Sequence, residues 1–323
     1  MPKQYFFEAG SFQDLSFAEL VCVFNTYGVS KDSIHRFSDK IFVLRNNEVT
    51  EEVVKKVANR LGGLVRYGYI VDQMDTFLAD QIAKGNKVTF GVSIIGQTYK
   101  QDNIFLRKLS GEIKDELKRN EISSRDVRPL RGEVELNAAQ VLNNDIFEKG
   151  FELCIIRSEK EEIYGCTMGV QDVNGFAARD FDKPFTDVKM GTLPPKLARI
   201  MINLTGIKQG IIWDPFCGSG TILMESAVLD LDILGSDIDP MALEYSEKNI
   251  EWLSEKGMMA NIKYDIFPLD VKNPDGRTIS KLKKTEISAV VCEPFMGPPQ
   301  RRVVFANRAD IFLKRVTELY EGL

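Results

Sequence analysis

Apolar positions along the first 75 residues alternate between a period of two and a period near 3.6. Tyr5 to Ala9 reads as a strand, and Leu20, Val21 and Phe24 fall on one helical face that ends near Gly28. Ser16 with Glu19 has the spacing of a capping box for that helix. Ile34 to Leu44 predicts one or two strands broken at Ser38-Asp39. Thr50 then heads TEEVVKKVANRL, a helix that Gly62-Gly63 stops, and Leu64 to Val71 returns as a strand. The βαββαβ order predicts a small ferredoxin-like domain over residues 1–75.

A second unit is expected over 76–170. Lys87 to Ile95 alternates as a strand. Ile104, Phe105, Leu109, Ile113 and Leu117 fall at helical spacing, with Arg107, Lys108, Lys114, Lys118 and Arg119 around the outer face. Arg125, Arg128 and Arg131 follow in an extended segment. Acids interleave with these cations, so a solvated face and a nucleic-acid surface are both open readings. Phe151 to Ile156 and Ile163 to Val170 predict a hairpin. Residues 171–192 are polar, with glycine and proline, and read as a linker. From 193 the pattern is that of a doubly wound α/β domain: a helix begun by Leu193-Pro194-Pro195, then strands at Ile211, at Ile233 to Asp237, near Ile262 to Tyr264, and at Ile287 to Cys292. Four strands after residue 210 are fewer than such a domain usually has. The expectation is a domain lacking its last strands.

Composition narrows the setting. The chain has 323 residues, a net charge of -5 and 44% hydrophobic residues, which suits several globular domains. No apolar run approaches membrane-spanning length, and MPKQYFFEAG lacks the layout of a secretory signal. Five scattered cysteines without a CxxC pair, and the single His35, provide no zinc set. The expectation is a reduced, cytoplasmic, monomeric enzyme without a metal or membrane partner.

The chemistry concentrates at Ile211 to Glu225, IIWDPFCGSGTILME: strand, glycine turn, helix. A P-loop would need GxxxxGK[ST], and the lysine is absent. A dinucleotide site would have GxGxxG, and the third glycine is absent. Asp214 at the strand end would repel a pyrophosphate but suits a cation. S-adenosylmethionine fits, with its ammonium toward Asp214 and its adenosine along the glycines. Asp237 ends the next strand, where an acid commonly bonds ribose hydroxyls. Asp214 could also do no more than cap the turn. In such a sheet the fourth strand end, Glu293-Pro294-Phe295-Met296-Gly297, lies beside the first. A side-chain oxygen and the carbonyl next to a proline can accept hydrogen bonds from an exocyclic amine, while an aromatic ring stacks on the base. Glu293, Pro294 and Phe295 are therefore the catalytic candidates.

These segments resemble the THUMP-domain tRNA methyltransferases that form N2-methylguanosine or N2,N2-dimethylguanosine. LGGLVRYG is similar to that family's N-terminal domain. RPLRGEVELNAAQVLNN, FELCIIR and YGCTMGVQDVNGFAARDFDKP are similar to its THUMP domain and exit. GTLPPKLARIMINLTG, DPFCGSGT and GSDIDPMAL are similar to its catalytic domain. The resemblance implies a donor site of Asp214, Phe216, Gly218, Gly220, Thr221, Asp237, Ile238, Asp270 and Val271, with Asp270 near the adenine. It implies that the first two domains grip tRNA, with Arg107, Lys108, Arg125, Arg128 and Arg131 as contacts, while a guanine is flipped into the pocket. One departure stands out. The family's Asp/Asn-Pro-Pro-Tyr is Glu293-Pro294-Phe295-Met296 here. The readings that follow are a tRNA guanine-N2 methyltransferase, an RNA-binding protein whose methyltransferase domain has lost its chemistry, or an amino-methyltransferase for another target.

Overall fold

A computed structural model describes residues 3–85, 87–186 and 193–294, together with Lys314 and Thr317. The chain divides into two compact units, 1–173 and 174–323.

The first unit is built on one eight-stranded sheet: β1 (Tyr5–Ala9), β2 (Ile34–Arg36), β3 (Ile41–Leu44), β4 (Leu64–Val71), β5 (Lys87–Gly96), β6 (Ser123–Val127), β7 (Gly150–Arg157) and β8 (Glu162–Val170), in the order β2-β3-β1-β4-β8-β7-β5-β6. The helices Gln13–Asn25 and Glu51–Arg60 complete the expected βαββαβ. Their apolar faces cover β1, β3 and β4 through Leu20, Phe24, Val54 and Val57. Thr50 caps the second helix by accepting the Val53 N–H. The first helix starts earlier than its capping-box reading. Phe12 precedes Gln13, and Ser16 lies inside the helix with its hydroxyl bonded to the Phe12 carbonyl. Glu19 is buried and accepts the Gly62 and Gly63 N–H groups at 2.8 and 2.9 Å. It ties the helix to the glycine turn that leads into β4.

The two halves of this sheet join where β4 pairs antiparallel with β8. A buried charge cluster spans the junction. Arg66 on β4 donates to Glu8 on β1 at 2.6 Å, to Glu152 on β7 at 2.5 Å and to the Leu136 carbonyl at 2.7 Å. Ser93 and Thr167 satisfy the same Glu152 carboxylate from β5 and β8. Five strands thus converge on hydrogen bonds that have no water to replace them. The helix Asp102–Arg119 buries Leu106, Ile113 and Leu117, whereas Ile104 is 71% exposed. The apolar stripe runs one register later than Ile104 suggested.

The second unit has a parallel sheet of β9 (Ile211–Asp214), β10 (Asp232–Asp237), β11 (Tyr264–Pro268) and β12 (Ile287–Val290), ordered β11-β10-β9-β12. This is the doubly wound arrangement: β10 and β11 are added on one side of β9 and β12 on the other, so the strand order reverses at β9. Ligands bind at the carboxyl ends of strands beside such a reversal. The third strand begins at Tyr264, the last residue of its expected place near Ile262 to Tyr264, and runs on to Pro268. The helix Pro195–Leu204 begins at its prolines, as read.

The described part of 171–192 is not an unstructured linker. Val173–Ala177 is helical, a π-helical turn follows over Ala178–Asp182, and Phe176, Arg179 and Lys183 are buried. Its polarity misled because these charges are buried instead of solvated. Arg179 and Arg199 together hold the fully buried carboxylate of Glu225. No described helix is long and apolar enough to cross a membrane.

Candidate methyl-donor site

Asp214 ends β9 and is 2% exposed. Its Oδ1 accepts the Phe216 N–H at 3.0 Å, closing the turn that Pro215 begins. Burial pushes its carboxyl up to about 8, against the lowering effect of that hydrogen bond, and repulsion from Asp237 and Glu293 adds to the rise. Three carboxylates therefore act on one another at the strand ends. Crowding of this kind is relieved by a cation.

The glycine turn is held from two sides. Asp237, at the end of β10, accepts the Gly218 N–H on Oδ2 at 2.9 Å and the Asp239 N–H on Oδ1 at 3.0 Å. From the following helix, Pro240–Glu255, Ser246 donates to the Gly218 carbonyl and Asn249 to the Ser219 carbonyl, both at 2.8 Å. Gly218 and Gly220 take φ of +52° and +83°, the left-handed region that glycine enters without a Cβ penalty. A Cβ at Gly220 would press on Ser246, but one at Gly218 would meet nothing within 4 Å. The turn therefore leaves open space on the Gly218 side. Buried acid, bare glycine backbone and open space together fit a cationic nucleoside such as S-adenosylmethionine.

The other donor candidates lie around the same strand ends. Asp237 pairs in register with Pro268 of β11, and the Leu269 N–H donates to the Asp237 carbonyl, which brings Asp270 and the buried Val271 just beyond that end. Hydrogen bonds from Asn273 and the Lys272 N–H hold the Asp270 carboxyl below its ordinary range. Ile238 is an exposed aliphatic side chain directly after Asp237, Phe216 is half-buried, and Thr221 opens the helix Thr221–Val228.

On the acceptor side, β12 pairs parallel with β9, and the Val291 N–H donates to the Trp213 carbonyl. Glu293 and Pro294 therefore leave the sheet beside Asp214, and Glu293 is exposed. Phe295 and Met296 lie outside the described residues. Two cysteines adjoin the site. Burial pushes the Cys292 thiol up to about 11 and the Cys217 thiol higher still. Burial thus favours the neutral thiol at both positions.

In the first unit, Arg107 and Lys108 are exposed on the helix Asp102–Arg119, Arg125 lies on the edge strand β6, and Arg128 and Arg131 follow it. The five are spread over three elements. Arg125 bonds Asn144, and with Lys87 and Lys149 it lines a groove of about 310 Å³. Those two lysines were not singled out from the sequence, because only strand pairing brings positions 87, 125 and 149 together. Arg128 pairs with Asp126. A groove of about 750 Å³ in the same unit mixes Arg36, Lys40, Arg45 and Lys160 with Asp39, Glu159 and Glu161, and so has no uniform sign.

Residues 185–282 match the family model described as RMKL-like, methyltransferase domain. A stretch of 121 residues is 35% identical to the tRNA (guanine(10)-N2)-dimethyltransferase of Methanothermobacter thermautotrophicus, covering 37% of this chain and 32% of that protein. The protein of the same description from Methanocaldococcus jannaschii is 31% identical over 115 residues, 33% of this chain and 29% of its own. The chain thus aligns with about a third of the length of these curated relatives. The crystal structure of TrmN from Thermus thermophilus covers 99% of this chain and 83% of its own at a TM-score of 0.49 and 13% identity, too distant to bear on function. Strand order, glycine turn and family match agree on a methyltransferase domain over residues 185–282, similar to the RMKL-like one.

Proposed function

We propose that this protein transfers a methyl group from S-adenosylmethionine to the exocyclic N2 of a guanosine in tRNA. The observation that carries the reading is the convergence of Asp214, Asp237 and Glu293 at adjacent parallel strand ends around an open glycine turn. Bound there, S-adenosylmethionine supplies an activated methyl group on a sulfonium.

The chain's own residues bind and orient. Asp214 neutralises the donor ammonium. Asp237 has acceptor capacity left for ribose hydroxyls after its two backbone hydrogen bonds. Ile238, Val271 and Asp270 border the adenine, and Gly218, Gly220, Thr221 and Phe216 form the wall the donor lies against. Glu293 and the Pro294 carbonyl accept hydrogen bonds from the guanine amine and aim its lone pair, with Phe295 as the stacking ring. Glutamate keeps the acceptor oxygens of the shorter acid it replaces. As the nitrogen gains the methyl group it becomes acidic, and its surplus proton passes to the Glu293 carboxylate that already accepts its hydrogen bond.

Residues 1–75 and 76–170 supply the tRNA grip in this reading, with Arg107, Lys108, Arg125, Arg128 and Arg131 toward phosphates. The curated relatives are named for guanine 10, and that nucleotide is the first target to test. Five cysteines with no disulfide among them suit a reducing, cytoplasmic setting. Nucleoside mass spectrometry of tRNA incubated with protein and donor tests the proposal. N2-methylguanosine or N2,N2-dimethylguanosine is expected, and unmodified tRNA or methylation of another base would refute it.

A further inference from the structure

Lys183 lies in the segment that looked like a linker, yet it is 4% exposed. Its ammonium donates to the Thr221 hydroxyl at 3.2 Å, at the first residue of the helix that follows the glycine turn. That helix begins after Gly220, which has no side chain to offer its first-turn N–H groups. A helix start already favours negative charge, so a buried ammonium bonded there compounds the positive potential. The carboxylates that Lys183 feels are Asp180 and Glu225. Glu225 is already held by both Arg179 and Arg199. The direct partner of Lys183 is a neutral hydroxyl, and desolvation pulls its ammonium below the ordinary lysine range. A buried cation so arranged is completed by an anion.

The segment that carries Lys183 is fastened to the same turn. Asn249, fully buried, accepts the Phe185 N–H at 3.1 Å and donates to the Phe185 carbonyl at 2.9 Å, while also donating to the Ser219 carbonyl. The Phe185 ring stacks on Tyr245 at 5.2 Å. Lys183 is therefore fixed with respect to the glycine turn through its neighbour two residues on, and does not sweep through solvent.

We infer that Lys183 reads the α-carboxylate of the methyl donor, an inference that rests on the donor assignment above. Asp214 would take the ammonium of the same amino-acid group and Lys183 its carboxylate. The pair would recognise a zwitterion and exclude nucleosides lacking one. Thr221, bonded to Lys183, keeps the ammonium in place before the donor arrives.

The test compares two probes on the whole chain by calorimetry: S-adenosylmethionine and decarboxylated S-adenosylmethionine, which lacks only that carboxylate. The parent protein should prefer the intact donor. Lys183→Met, which keeps the buried volume, should weaken the intact donor about tenfold to a hundredfold. It should change the decarboxylated probe less than twofold. Lys183→Arg should restore part of the difference. Equal weakening of both probes, or no weakening of either, would overturn the inference while leaving the donor assignment standing. Failure of the parent protein to bind either probe would overturn the donor assignment, and this inference with it. Melting temperatures of the variants separate loss of binding from loss of fold, and Lys183→Gln serves if the methionine variant does not fold.

Discussion

The Asp237 carboxylate accepts the Gly218 N–H at 2.9 Å. The acid assigned to the donor ribose therefore also fixes the curvature of the turn on which the donor lies. Asp237→Ala removes both functions, and donor affinity should fall by about 10- to 100-fold, the loss of one or two charged hydrogen bonds. Asp237→Asn keeps one acceptor oxygen and should lose less. Isothermal titration with S-adenosylmethionine separates the two, and equal affinity across all three proteins would remove Asp237 from the site.

Asp214 makes donor binding depend on pH. Its carboxyl titrates near 8 in the free protein, so at pH 6 it is protonated and must release a proton to face a cation. Donor affinity should rise with pH, by up to about tenfold per unit, and level off above about 8. The effect on folding has the opposite sense. The folded-state value lies above the unfolded one, so the folded chain holds the extra proton between about 4 and 8. The stability contributed is complete at low pH and is lost as pH rises through 8. Asp214→Asn should flatten both profiles, measured by calorimetry and by denaturant melts at pH 5 and 9. A donor-affinity profile unchanged by the substitution would mean that Asp214 only closes the turn.

Glu293 tests the acceptor side alone. Glu293→Ala should abolish methyl transfer to tRNA and leave donor affinity within about twofold, since the side chain is exposed and shapes no part of the glycine turn. Single-turnover labelling with tritiated donor is the measurement. Full activity in the variant would place the amine's hydrogen-bond acceptor elsewhere.

Most of the second unit was legible in its sequence, because a parallel sheet writes each strand as a short apolar run and each ligand contact at the residue just after it. DPFCGSGT and GSDIDP needed only the strand order to become neighbours. Lys183, Glu225 and the arginines around it were not legible. A buried ion pair looks the same in sequence as a solvated one, and the 171–192 segment carried enough charge to pass for a tether. The same blindness hid Glu19 and Arg66 in the first unit. Glu19 has helix-cap spacing but closes a loop 43 residues away, and Arg66 sits at an alternating strand position whose inward face happens to be polar. Apolar periodicity reports which face turns inward, but not which polar group has found a partner there.

Arg66 offers a test of the sheet junction. Arg66→Met leaves Glu8 and Glu152 buried without their common cation, which should cost about 3–5 kcal/mol. The first unit should melt well below the parent in a denaturant titration. Pairing Arg66→Met with Glu8→Gln and Glu152→Gln should recover part of the loss, because the buried negative charges go with it. A single substitution within about 1 kcal/mol of the parent would show that the cluster adds no net stability.

The cations of the first unit make a prediction about salt. Arg125 stands with Lys87 and Lys149 at a groove on the edge of the sheet, and Arg128 and Arg131 follow in exposed backbone. If these side chains lie against tRNA phosphates, each releases about one condensed counterion on binding. Arg125→Gln should weaken tRNA binding and lower the slope of log affinity against log salt by about one, and Arg125→Gln with Arg128→Gln by about two. The donor affinity of both variants should match the parent, since Asp214 and Asp237 are untouched. Filter binding between 50 and 200 mM salt reads both quantities. A slope that does not change with either substitution would remove this edge from the tRNA surface and direct attention to Arg107 and Lys108 on the neighbouring helix.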